Sequence, residues 1–385
     1  MSDRRHRRLR NTWLAVIALA SLALLGDLLT PAPPPPRADS AANTTALLAR
    51  DDDDGFARAG EPRAFVFPRD HAAHPDYRTE WWYFTGHLAA DGGREFGFQL
   101  TLFRFEIASA VPDSPSAWRT PRVMLGHFAL SDLSGQRFHA FERLARAHPA
   151  VAGATTARAH VWLDDWTIEH VESAAGAGRW RIGATQDDVA LELELVDTAG
   201  IVLQGDDGLS AKSAAAGNAS YYYSMPRLHA SGRVAVDDSP LAVRGSAWLD
   251  REWSTSALDR TQQGWDWFAL QLADGANLMF YRLREAGGAT GAQSAGTLQD
   301  AGGTVHRLGP TDVTLTATGT WTSPDTGIRY PQGWRLQVPR HGLDLALAAR
   351  LPAQEWRGRF RYWEGAVSVT GSHPGRGYVE LTGYE

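Results

Sequence analysis

Cysteine is absent from all 385 residues. Its absence excludes disulfides, thiolate metal sites, thiol nucleophiles and a lipid-modified N-terminal cysteine. Long stretches of helical period are missing too, and with them any βαβ pattern that would set a phosphate-cradling glycine loop before a helix. No G-x-S-x-G elbow occurs, and Ser224 in YYYSMPR has no adjacent base signal. Positive charge is not in excess: a net charge of −6 gives no reason to expect a nucleic-acid partner. HAAH at 71–74 has metal-like spacing, but it sits in a loop-like stretch with no third ligand in register, so no metal is expected.

The N-terminal residues supply an address. RRHRRLR is basic, and WLAVIALASLALL at 13–25 is an apolar run of signal-peptide length, shorter than the ~20 residues a spanning helix needs. Residues 1–30 are expected to be a signal peptide or an N-terminal membrane tether, because no small-x-small cleavage site follows at the usual distance. The product is then periplasmic or secreted. Residues 31–61, rich in proline and then in aspartate, read as a linker. The first 60 residues are expected to make few contacts with the body.

From about residue 62 the pattern is β throughout. Short segments rich in Trp, Tyr, Val, Thr and Leu alternate with polar positions and are punctuated by Gly, Asp or Pro. The expected fold class is all-β, with one domain at 62–235 and a second at 236–385. EWWYFTGHLAADGGREFGFQLTLFR at 80–104 is echoed by WDWFALQLADGANLMFYRLR at 265–284. Each reads as a hairpin with an acid among tryptophans, an Asp-Gly turn and a second strand ending in Arg.

The chemistry centres on acids set among aromatic rings. In GSAWLDREWS at 245–254, alternation puts Trp248, Asp250 and Glu252 on one face and Arg251 and Trp253 on the other. Two carboxylates on one face push their pKa values apart, which suits one of them to general acid work. GWDWF adds Asp266. TEWWYFTGHL has Glu80, Trp82 and Phe84 on one face and Trp81, Tyr83 and His87 on the other. Glu80 is expected to be buried near Asp250, Glu252 and Asp266, at the junction of the domains. The same acids equally suit a polar core, satisfied by indole, hydroxyl and arginine donors.

HPDYRTEWWYFTGHL, YYYSMPRL, GSAWLDREWS, GWDWFALQL, YPQGWRLQVP and YWEGAVSVTG…GYVELTGY together resemble the AttH-like, carotenoid 1,2-hydratase-related family of exported bacterial proteins. The resemblance runs from about residue 60 to the C-terminus. It implies two tandem lipocalin-like β-barrel domains packed side by side. Hydratases of this wider family, with fungal kievitone hydratase a more distant relative, use no cofactor. They protonate a terminal isoprenoid double bond and let water capture the cation. Carried over by position, the resemblance makes Asp250 the acid; Glu252, Asp266 and Glu80, acids set among aromatic rings, are expected to set its charge state or orient water. Trp81, Trp82, Tyr221, Tyr223, Trp248, Trp253, Trp265 and Trp267 are the expected walls for an apolar small molecule or lipid. The chain departs from the hydratase pattern at Trp248, where a tyrosine is usual, and at Tyr221 and Tyr223, where a histidine and a tryptophan are. The rival expectation is a non-catalytic periplasmic lipid binder or an accessory to a membrane transporter complex.

Overall fold

The backbone reverses tightly where glycine permits it. Gly93 (φ 80°) and Gly275 (φ 99°) take left-handed conformations in the Asp-Gly turns of the two echoed hairpins. In the computed structural model, which describes residues 55–109, 116, 118–171, 178–256 and 262–384, these hairpins open two separate antiparallel sheets. The expected signal peptide or tether and the linker as far as residue 54 lie outside the described residues.

The first sheet has 13 strands and the second 10, and each curls into a lipocalin-like barrel. The only helical elements among the described residues are two short 3-10 turns, Arg69–His71 and Pro339–His341. The first barrel closes where Arg122–Asp132 comes against His160–Leu163 and Trp166–Val171. There Gly126 lies so near Trp166 that a Cβ would approach its ring to 2.8 Å.

Both lumens are filled. Trp82, Trp166, Trp180 and Trp253 are fully buried in the first, and Phe268, Trp334 and Trp363 centre the second. Rings that each remove ~150–250 Å² from water dominate such cores. A third apolar cluster, including Tyr83, Tyr222, Trp248, Trp267 and Tyr281, joins residues of both sheets and forms the junction of the barrels.

Two expectations about boundaries need correction. Ser239–Ser254 does not open the second domain: it pairs with Thr79–Ala90 and Ala219–Val236 in the first sheet. The boundary expected near residue 235 falls instead at a hairpin end, beside Asp237 and Asp238 with φ 54° and 56°. Periodicity marks a strand but not the sheet it joins. The linker, in turn, reaches the body before residue 61. The Ala57 amide donates to the Asp76 carbonyl at 2.8 Å, and Ala59 is fully buried. Downstream, Phe65 packs edge-on against Trp253, with ring centroids 5.6 Å apart, and Phe67 against Tyr223 at 5.0 Å, plugging the first barrel.

Candidate active site

Strand register places the site. Thr79–Ala90 sets Tyr83 opposite Asp250 and Trp81 opposite Glu252, while Ala219–Val236 sets Ser224 opposite Asp250 and Tyr222 opposite Glu252. Cross-strand partners share a face, and this face looks away from the first lumen towards the second barrel. The second sheet answers with Trp265 and Trp267 from Gln262–Leu272, Tyr281 from Asn277–Glu285, and Glu380 from Gly375–Thr382. Between the two walls lies a cavity of about 140 Å³, room for on the order of ten waters. Phe103, Phe105, Leu125 and Phe360 make part of its lining apolar, around His127, whose Nδ1 meets the Tyr362 hydroxyl at 2.8 Å. Asp250, Glu252, Lys212 and Glu380 supply its charge.

Asp250 is 4% exposed and surrounded by donors. Ser224 Oγ donates at 2.5 Å, Trp248 Nε1 at 2.7 Å, and the Tyr222 hydroxyl donates to the other oxygen. Burial outweighs these bonds, and with the nearby Glu252 charge it pushes the Asp250 carboxyl up to about 6. Glu252 is paired differently, with Lys212 Nζ at 2.9 Å and with the Ser220 hydroxyl. Burial disfavours the Lys212 charge, but Glu252 and Tyr281 more than offset it and hold the amine above its ordinary value.

On the second wall, Glu380 Oε1 accepts from Trp265 Nε1 and Thr382 Oγ1, both at 2.9 Å. Burial pushes this carboxyl up to about 7. Directly across the ladder from it stands Glu364, 2% exposed, which accepts from the Tyr83 hydroxyl at 2.6 Å. Burial, then the Glu380 charge, drives Glu364 well above the usual carboxylate range.

An AttH-like family model matches residues 58–384. The chain belongs to the AttH-like family. The crystal structure of a protein described as an AttH from Nitrosomonas europaea is 35% identical to this AttH-like chain, with a TM-score of 0.76, and covers 86% of it and 100% of itself. Kievitone hydratase from Nectria haematococca is 16% identical, with a TM-score of 0.63 over 86% of this chain and 96% of its own, a likeness of fold. Among curated protein sequences, none is significantly similar.

Not every acid expected at the AttH-like site is there. Glu80 is completely buried on the opposite face of its strand, inside the first barrel. Arg104 Nε meets it at 2.5 Å, Arg251 Nη2 at 2.6 Å, and the His74 amide donates to both oxygens at 3.1 Å. Burial opposes its charge, but Arg104 and then Arg251 overcome it and hold the carboxyl well below the usual range. Asp266 likewise turns into the second barrel, where Arg282 Nε and Arg284 Nε each lie at 3.0 Å and the Tyr384 hydroxyl at 2.9 Å. Of the four acids expected together, the structure brings only Asp250 and Glu252 to one cavity.

The aromatic residues divide the same way. Trp81, Trp265 and Trp267 line the cavity, and Trp248 reaches it through Asp250. Trp82, Tyr221, Tyr223 and Trp253 belong to the first lumen. There Trp82 lies under the Arg251 guanidinium at 3.8 Å, and Trp253 stacks on His74 at 3.8 Å. Tyr221 donates to the Glu61 carbonyl at 2.9 Å. The histidines of HAAH go to separate partners: His71 shares a hydrogen bond with Tyr223 at 2.5 Å, and His74 sits between Asp70 and Glu80.

Sequence reasoning passed over Tyr83, Tyr222, Lys212, Glu364, Glu380 and His127. Some left signals. Tyr222 has the opposite parity to Tyr221 and Tyr223. Glu364 and Glu380 are lone acids in the otherwise apolar strands YWEGAVSV and GYVELT. Lys212 is the one lysine among the chain's 38 basic residues, a conspicuous choice where every other cation is arginine. His127 left no such mark.

Proposed function

We propose that this AttH-like protein is a cofactor-independent hydratase or hydrolase. Its substrate would be an apolar molecule, isoprenoid or lipid-like, bound in the cavity between the barrels, with a cavity carboxyl supplying the proton. One observation carries the reading: Asp250, a buried carboxyl with its pKa pushed up to about 6, stands on the wall of an aromatic cavity. A carboxyl that titrates this close to neutrality is suited to proton transfer. Tryptophan faces beside it can stabilise a passing cation by ~2 kcal/mol when desolvated. The fold shared with a hydratase supports the reaction class. The basic and apolar N-terminal residues support export to the periplasm or beyond, tethered or released.

Native mass spectrometry of protein purified from its own host tests the binding half of this reading, because a bound lipid should travel with the chain. Asp250→Asn tests the chemical half. The variant should keep its fold and its ligand and lose turnover; retained turnover eliminates Asp250 from the chemistry. A second reading is a periplasmic lipid binder that hands its cargo to a membrane transporter complex. It is favoured by the rings of Phe103, Phe105 and Phe360, which would hold an apolar chain with no acid involved. A co-purifying lipid recovered unchanged from both the native protein and Asp250→Asn would select it.

A further inference from the structure

The direction of each hydrogen bond around the cavity separates its two titrating carboxyls. Trp248 has only an N–H to offer Asp250. The Tyr222 hydroxyl accepts from Trp267 Nε1 at 3.2 Å, so its own proton is directed at Asp250. The Ser224 hydroxyl accepts from Gln204 Nε2 at 2.9 Å and likewise turns its proton to Asp250. Among the described residues, three donors thus converge on the Asp250 carboxylate. Glu380 is built the other way. Both of its donors, Trp265 and Thr382, meet Oε1, while Oε2 receives no hydrogen bond among the described residues and Glu380 lines the cavity. Its cross-strand neighbour Glu364 has a buried Oε2 with no partner, a state that suits a protonated carboxyl. Like charges directly opposite on a ladder repel. At least one proton therefore belongs to the Glu364–Glu380 pair.

We propose that Glu380 Oε2, on the second-sheet wall, carries the cavity's transferable proton, and that Asp250, on the first-sheet wall, works as its ionised partner. The inference rests on the hydratase reading for its chemistry but not for its protonation pattern. In a hydration, the π electrons of the alkene take the proton from Glu380 Oε2, so that a C–H bond forms as the O–H bond breaks. Water then adds to the cation, and the proton it releases passes to the Asp250 carboxylate. Transfer from Asp250 to Glu380 through solvent restores the site, and the sum is alkene plus water giving alcohol. The other titratable groups around the cavity are Lys212, Glu252, Tyr222 and His127 on the first sheet's side, Tyr83 beside Glu364, and Tyr281 and Tyr362 from the second sheet. The Lys212–Glu252 pair leaves Asp250 as the net negative charge of the first wall. The order of the two pKa values, about 7 for Glu380 and about 6 for Asp250, agrees with this division.

Isotope-edited infrared titration of the ligand-free protein tests the assignment directly. With glutamate carboxyls labelled, the native protein should show a protonated glutamic acid band that disappears near neutral pH. That band should vanish in Glu380→Gln, persist in Asp250→Asn, and return at a shifted midpoint in Glu380→Asp labelled at aspartate. Circular dichroism confirms that each variant is folded. If the neutral-pH band survives in Glu380→Gln, or is lost in Asp250→Asn alone, the proposal is overturned. Turnover separates the proposal from the reading beneath it. With geraniol as the probe alkene, Glu380→Gln should lower hydration by at least about 100-fold, the range for losing a general acid, and Glu380→Asp should recover part of it. Hydration that survives in Glu380→Gln but fails in Asp250→Asn keeps the hydratase reading and refutes Glu380. A native enzyme inert to geraniol counts against the reading for this probe, while the infrared result still decides where the proton sits.

Discussion

Two kinds of acid occupy opposite faces of the strands in this molecule. Glu80 and Asp266 face the barrel lumens, and each is gripped by two arginines, one of them directly opposite on the neighbouring strand: Arg104 for Glu80 and Arg282 for Asp266. Asp250, Glu364 and Glu380 face the junction of the barrels, and among the described residues their partners are indole N–H and hydroxyl groups, with no arginine. A guanidinium offsets the cost of burying a charge, so Glu80 stays ionised and both lumen acids serve to hold the structure. Neutral donors cancel it only in part, so the junction acids keep protons to higher pH. The echo between the two hairpins therefore reports the structural acids. The candidate site is made of the residues on the other face.

The sharpest way to break this contrast is to neutralise one acid of each kind. Glu80→Gln leaves Arg104 and Arg251 buried without their carboxylate and should cost about 3–5 kcal/mol, read as a lower urea midpoint. Glu364→Gln replaces a carboxyl that already holds its proton with a group of the same shape, and should leave the midpoint nearly unchanged. Similar losses in both would mean that the two faces do not differ.

Stability as a function of pH separates them next. Glu80 is held low by Arg104 and Arg251, so its contribution is full above its unfolded value near 4.5 and is lost as the pH falls through its lower folded value. Glu380 is raised by burial, so its contribution is full below about 4.5 and is lost as the pH climbs to about 7. Urea midpoints of the native protein and Glu380→Gln should therefore diverge across that interval, with the decline shallower in the variant. Parallel curves would show that Glu380 has no raised pKa.

Smaller effects sharpen the picture within the cavity. Lys212→Met removes the cation paired with Glu252, so the infrared midpoints of Asp250 and Glu380 should both move up, by roughly one unit. Lys212→Arg should restore the charge without the fit, because a planar guanidinium does not replace a compact ammonium held by Glu252 and Ser210. The least change is expected from Thr382→Val, which takes one of two donors from Glu380 Oε1 and should raise its midpoint by less than about one unit.

Much of this arrangement was legible in the residues. The hairpins, their turns and the two faces of TEWWYFTGHL and GSAWLDREWS follow from a period of two, and the tandem barrels from the family resemblance. What local pattern leaves open is the choice of face. Glu80, Asp266 and Asp250 all sit beside tryptophans in the sequence, yet Glu80 opposes Trp253 and Asp250 opposes Tyr83. The resemblance points to Tyr221 and Tyr223, which match the histidine and tryptophan positions of the hydratases, yet it is Tyr222, of the opposite parity, that meets the cavity.

Local alternation and turn chemistry suffice to make this chain all-β, to say which residues share a face, and to set acids among aromatic rings. Only the tertiary structure decided which face became lumen and which became junction, because a strand of period two has two faces and does not label them. It alone also supplied the second wall, where Tyr83 donates to Glu364 across 281 residues of chain. A contact at that separation is set by how the barrels pack, and no local pattern encodes it.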